Sequence, residues 1–243
     1  FTEMDSTSFS IPAGVTDSAQ VKLIAQDIYG NEGEGFSDFF SVTDNTPPTI
    51  ELLSPIVGTD LEIGSIIQIN WSTTDNDSIS HVNIEFNVDD AGWNIAVDNE
   101  NDDGEYGWLV PDLPSNDVKL RIIAVDGVGL TDTSIVEGLS IIIVYPTVTS
   151  VFPEEGVIGW SNNQLSINFS QALDINTITY DNIDIISSNE GQLLPSFTFE
   201  NQNSIISMHF SNGLATSDTI SVTINPEVTN AFGYGLDGDG DGV

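Results

Sequence analysis

The chain has 243 residues and no cysteine, and its three Lys/Arg stand against 38 Asp/Glu for a formal charge of −35. Such a polyanion has almost nothing to set against phosphate, which excludes nucleic-acid binding and disfavours attachment to anionic lipid. Thiol and disulfide chemistry go with the cysteines, and no apolar run approaches the ~20 residues of a membrane span.

In chain order, Ser8–Pro12 reads as a short strand. Val21–Ala25 alternates Val21, Leu23 and Ala25 against Lys22 and Ile24, and Asp27–Asn31 has the composition of a hairpin turn. Phe36–Val42 closes this piece, and Asp44-Asn45-Thr46-Pro47-Pro48 is a stiff polar link, since proline fixes φ and cannot donate to a ladder. A complete copy is expected over 46–144. Its strands are Thr49–Ser54, Ile67–Trp71, Val82–Phe86, one starting at Trp93, one at Tyr106–Trp108, Val118–Val125 and Ser134–Val144, with a turn at Gly58–Gly64. A different module is expected over 145–234, with strands at Leu165–Ser170, Thr177–Ile185, Ser196–Glu200, Ile205–Phe210 and Asp218–Ile224. No segment sustains a helical period over three turns.

Residues 1–45 repeat the second half of the complete copy. Pro12, Val21–Asp27 and Gly30 align without a gap with Pro111, Leu120–Asp126 and Gly129, 99 positions later. Phe9 falls on Trp108, and two of the three basic residues, Lys22 and Arg121, occupy the same repeat position. A period near one hundred residues is one β-sandwich per repeat. The expected fold is all-β, with tandem Ig-like β-sandwiches in an extended array and an acidic tail over 235–243. Phe1 lies inside the repeat, so the sequence reads as an internal piece of a longer protein.

The spaced core residues over 48–126, including Ile69-Asn70-Trp71-Ser72, Val82-Asn83-Ile84-Glu85 and Gly104–Pro111, resemble an Ig-like (fibronectin III-like) module of secreted bacterial proteins. The tryptophan motif of that family is shortened here to Asp89-Asp90-Ala91-Gly92-Trp93. Phe152–Gly156, Phe169-Ser170-Gln171-Ala172-Leu173-Asp174 and Val228–Gly233 are similar to the Ig-like domain of S-layer and other bacterial surface proteins. These resemblances imply a fold and a surface location, not a reaction.

Asp237-Gly238-Asp239-Gly240-Asp241-Gly242 carries carboxylates at positions 1, 3 and 5 and glycine at 6, the first half of a calcium loop. It resembles thrombospondin type 3 and dockerin-like loops, and Asp237, Asp239 and Asp241 are the calcium candidates, with the loop incomplete. Asp27 and Asp126 end Ala-x-Asp strands and Asp44-Asn45 lies in the link. Cadherin-like arrays use such residues for calcium, so these four are weaker junction candidates, with ordinary turn chemistry as the plainer reading. Loop acids Asp75, Asp77, Asp98, Asp102 and Asp103 read as solvated. Lys22 and Arg121 read as cross-strand ion pairs; Trp71 and Trp108 read as core. Asn70, Asn76 and Asn168 head Asn-x-Ser sequons, which make them candidate glycan sites.

Catalysis finds little support. His81 and His209 fall in different modules and lack metal-ligand spacing, and no nucleophile elbow, phosphate loop or dinucleotide fingerprint occurs. The expected function is a non-catalytic structural module of an extracellular microbial surface protein: stalk, adhesin, or surface-layer or filament component. Its partners would be neighbouring Ig-like domains, copies of itself or a surface polysaccharide, and calcium or high salt would offset the charge. The alternatives are an accessory region of a secreted hydrolase, or a filament subunit whose half-domain is completed by strand addition.

Overall fold

Alternating aliphatic and polar residues make strands with one face in a core. The computed structural model describes residues 16–43, 45–154, 163–214 and 218–238 and is built from strands with no α-helix among them. The chain divides into two compact units, Phe1–Ile142 and Ile143–Val243.

The first unit begins with four short strands, β1 (Thr16–Ala19), β2 (Lys22–Gln26), β3 (Glu32–Phe36) and β4 (Phe40–Val42), pairing as β1–β4 and β2–β3. A sandwich follows, of β5 (Thr49–Ser54), β6 (Asp60–Glu62), β7 (Ile66–Thr74), β8 (Ile79–Val88), β9 (Trp93–Glu100), β10 (Glu105–Leu109), β11 (Ser115–Asp126) and β12 (Thr131–Ile142). One sheet runs β10-β7-β5 and the other β6-β12-β11-β8-β9. Between them lies a core of Leu61, Ile69, Trp71, Val82, Ile84, Phe86, Trp108, Leu120, Ile122, Leu139 and their neighbours. Phe86 and Trp108 pack with ring centroids 5.1 Å apart.

The 99-residue repeat reappears as identical pairing. Thr16↔Val42 and Ala19↔Phe40 match Ser115↔Ile141 and Val118↔Leu139. The β2–β3 ladder from Lys22↔Phe36 to Gln26↔Glu32 matches Arg121↔Ile135 to Val125↔Thr131 pair by pair. What differs is cover. Ile122 is fully buried, whereas its counterpart Leu23 is 68% exposed. The β8 strand that pairs with β11 from Val118↔Val88 to Asp126↔Ile79 has no counterpart beside β2 among the described residues.

The second unit contains β13 (Val148–Phe152), β14 (Gln164–Phe169), a 3₁₀ turn at Ile175–Thr177, β15 (Ile183–Ser187), β16 (Gly191–Gln192), β17 (Ser196–Glu200), β18 (Ile205–His209) and β19 (Ile220–Ile224). Its sheets run β13-β14-β18-β17 and β16-β15-β19, and Leu165, Ile167, Phe169, Ile183, Ile185, Ile206 and Met208 fill the space between. The motif acid Asp174 caps the 3₁₀ turn by accepting from the Asn176 backbone N–H at 3.0 Å. Buried Asn230 accepts from the N–H groups of Phe232 and Tyr234, each at 3.0 Å.

Several local expectations are corrected. The segment expected as a turn at 58–64 contains β6, which pairs in parallel with β12 (Asp60↔Ser140). The strand expected from Thr177 begins only at Ile183, because a 3₁₀ turn at Ile175–Thr177 is followed by a second turn in which the Asn182 and Ile183 N–H groups donate to the Thr179 carbonyl. Asp98, read as a loop acid, lies within the eight-residue β9.

Candidate functional site

One end of the first sandwich gathers the unusual polar groups. Strand β7 ends at Thr74, paired with Thr49, so the segment entering β5 arrives at the same end as the β7–β8 loop of residues 75–78. The β11–β12 turn joins them, since Asp126 is opposite Ile79 and the Gly127 N–H donates to the Ser78 carbonyl at 3.2 Å. Asp126 is 2% exposed. Its Oδ1 accepts from the N–H groups of Val128 (2.9 Å) and Leu130 (2.8 Å), which shapes the turn. Its Oδ2 is buried without a donor, and so are both carboxylate oxygens of Asp75. The reading of Asp75 as a solvated loop acid is therefore corrected: the carboxylate is shut away from water although its backbone lies in a loop.

The equivalent turn in the first repeat is satisfied throughout. Asp27 Oδ1 accepts from Tyr29 (2.8 Å) and Asn31 (2.9 Å) N–H groups, and Asn31 Nδ2 donates to Asp27 Oδ2 at 2.9 Å. These bonds, led by the Asn31 side chain, hold the Asp27 carboxyl below its ordinary range although the residue is exposed. Position 130 is leucine, which has no such donor. Loss of that donor, together with burial of the turn, leaves Asp126 Oδ2 without a partner.

The other candidates are dispersed. Asn45 is exposed, and Asp44 lies outside the described residues. Asp237 is buried and its N–H donates to the Pro146 carbonyl at 2.9 Å, while Asp239 and Asp241 lie outside the described residues. Among the described residues no group of three or more His, Cys, Asp or Glu side chains is placed to hold a metal. Asn70 and Asn168 donate through Nδ2 to Ser54 (2.8 Å) and Ser150 (2.6 Å), and Asn76 is exposed.

The three cations are all engaged. Lys22 pairs with Glu34 at 2.5 Å, Lys119 with Asp90 at 2.7 Å, and Arg121 with Glu85 directly across the β8–β11 ladder. The Arg121 guanidinium also stacks 4.2 Å from the Trp93 ring centroid, so Trp93 is partly covered by its own sheet. Trp71 and Trp108 are buried, and Trp160 lies outside the described residues. Asp102, another acid read as solvated, instead accepts from Trp71 Nε1 at 2.8 Å and Thr73 Oγ1 at 2.5 Å.

The two histidines do not converge. His81 lies in the first unit beside Ser80, and His209 in the second beside Thr198. A cleft in the second unit between β13, β14 and β19 is lined by Val148, Val151, Leu165, Ile167, Ile220, Val222 and Ile224, none of which is an acid, a base or a nucleophile. No helix of the described residues is long and apolar enough to cross a membrane.

Residues 143–241 match the family model described as a bacterial Ig-like domain, Big_5. No curated protein sequence matches the chain. Among solved structures it resembles the fibronectin(III)-like modules of CbhA from Clostridium thermocellum, at 14% identity and a TM-score of 0.29 over 73% of this chain and 94% of that one. It also resembles SGBP-B from the mixed-linkage glucan utilization locus of Bacteroides ovatus, at 14% identity and a TM-score of 0.28 over 80% of this chain and 47% of that one. A third likeness is to a Ca2+-stabilised adhesin with which an Antarctic bacterium binds ice, at 9% identity and a TM-score of 0.29 over 90% of this chain and 56% of that one. The chain spans about half the length of these last two proteins.

Proposed function

We propose that the chain is a non-catalytic spacer within an extracellular bacterial surface protein, made of serial Ig-like modules that hold other parts at a distance. The observation that carries this reading is the pairing repeated at a 99-residue offset, followed by a second unit that matches a bacterial Ig-like family. Serial sandwiches each have their own core, so a load passes through them one after another. On this reading the tail acids Asp237, Asp239 and Asp241 take calcium, and the partners are neighbouring modules, further copies or a surface polysaccharide. The experiment is single-molecule stretching between the chain's two ends. Separate unfolding steps are expected, each releasing on the order of 300 Å for about a hundred residues. One cooperative step spanning both units would defeat the spacer reading.

A second reading has its own observation. Strands β2 and β3 offer a finished ladder with Leu23, Ile24 and Phe36 exposed, and the edge of β2 matches the edge of β11 that takes β8. In this reading a second copy adds a strand there and the modules form a filament. Light scattering across a concentration series distinguishes the two. A monomer at every concentration removes the filament, and association lost in Leu23→Asp supports it.

A further inference from the structure

We propose that Asp75 and Asp126 hold a divalent, oxygen-preferring cation, calcium, at the end of the first sandwich where the β7–β8 loop meets the β11–β12 turn.

The argument starts from what those carboxylates lack. Three oxygens, both of Asp75 and Oδ2 of Asp126, are buried without a hydrogen-bond donor. The remaining unpartnered buried side-chain atom among the described residues is Asn87 Oδ1, a neutral amide. A carboxylate removed from water without a donor or counter-charge is among the least favourable arrangements a fold can contain. Here Asp75 has no donor at all and Asp126 has none for Oδ2, and the two come from adjoining loops tied together by the Gly127–Ser78 backbone bond.

The chain cannot supply the missing charge. Its three Lys and Arg residues are paired with Glu34, Asp90 and Glu85. On this proposal the compensating cation comes from solution. Its chemistry follows from the donors: carboxylate oxygens, with no sulfur, suit a hard cation. Calcium accepts six to eight oxygens in irregular geometry, and waters and carbonyls complete a set that two carboxylates begin.

The repeat supplies an internal control. Asp27 occupies the same turn and makes the same two backbone bonds, but Asn31 satisfies its second oxygen. Where asparagine donates, the turn is complete without an ion. With Leu130 in that place, Asp126 presents the same oxygen unfilled. The inference deepens the calcium part of the proposed function by naming a second location, but it does not need the tail loop or the spacer role.

The test is calorimetric titration of the chelator-stripped full chain with calcium chloride at fixed ionic strength, together with melting temperatures. Wild type should bind calcium saturably and melt higher. Asp75→Asn and Asp126→Asn should each weaken binding at least tenfold and abolish that rise. Asn keeps an oxygen for the Val128 and Leu130 N–H groups, so the turn survives. With chelator present, each variant should melt no lower than wild type, because an unpaired buried charge has gone. A purely structural carboxylate predicts the opposite, an equal loss with and without calcium, and that result overturns the proposal. So does a calcium response that survives in the double variant and disappears in Asp239→Asn/Asp241→Asn, which would leave the tail as the site. No calcium response in wild type overturns it too, and leaves the stretching result for the spacer untouched.

Discussion

Asp102 illustrates how a polar side chain stabilises a core it does not enter. Trp71 is 3% exposed, and its indole N–H has Asp102 as its acceptor. Asp102→Ala therefore leaves a buried donor unsatisfied and should cost about 1–3 kcal/mol, read from urea unfolding. In a Trp71→Phe background the same change should cost distinctly less, since only the Thr73 hydroxyl then loses a partner. Equal costs in both backgrounds would show that the indole bond contributes nothing. Asp218 supports a pH prediction. Ser187 Oγ donates to it at 2.6 Å and, with Ser188 and the Thr219 and Asn189 N–H groups, holds the carboxyl below its ordinary 3.8 against a smaller opposing effect of desolvation. A depressed folded value means the contribution is complete above the unfolded pKa and fades as pH falls through the folded one. The gap in urea midpoint between wild type and Asp218→Asn should be constant at neutral pH and close below about pH 4. A gap unchanged at pH 3 would contradict the assignment.

At the scale of strands, the two copies of one hairpin separate the stability of a ladder from that of its cover. Ile122→Ala removes a side chain buried between two sheets and should cost about 2–5 kcal/mol. Leu23→Ala occupies the same ladder position on an exposed face and should stay within about 0.5 kcal/mol for the isolated chain. Urea unfolding of the two variants reads the difference, and a large loss for Leu23→Ala would mean that something in solution covers that face. The ladders themselves were legible because alternation is a local signal: Val82-x-Ile84-x-Phe86 and Leu120-x-Ile122-x-Ala124 declare their inward faces without reference to a partner. Strand β6 was not, since three residues in parallel pairing are fixed by β12, some eighty positions away in sequence. The candidate cation site was half legible. The Ala-x-Asp ending marked Asp126, but Asp75 resembles any loop acid until the fold shuts its carboxylate away from water. The deciding residue, Leu130 where the other copy has Asn31, is informative only when the two turns are compared bond by bond.

For the whole molecule, two electrostatic effects with different signatures act on one chain. A formal charge of −35 on 243 residues opposes compaction through many weak repulsions, each subject to screening. Screening length falls from ~10 Å at 0.1 M to ~3 Å at 1 M salt, so melting temperature should climb gradually across that range without saturating. Sodium and choline chloride should act alike, because screening by monovalent salts depends on ionic strength rather than on which cation carries the charge. A bound divalent ion behaves differently: its effect sets in near its own dissociation constant, is specific to that ion at matched ionic strength, and then grows with the logarithm of ligand over dissociation constant. Scanning calorimetry in sodium chloride, and then in calcium chloride at matched ionic strength, separates the two. The gradual rise should persist in Asp75→Asn/Asp126→Asn, which removes only two of 38 acids, while the calcium-specific increment disappears. If the gradual rise were absent from wild type, the acids would be too dispersed to repel at working salt, and the composition would report solubility rather than a demand for cations.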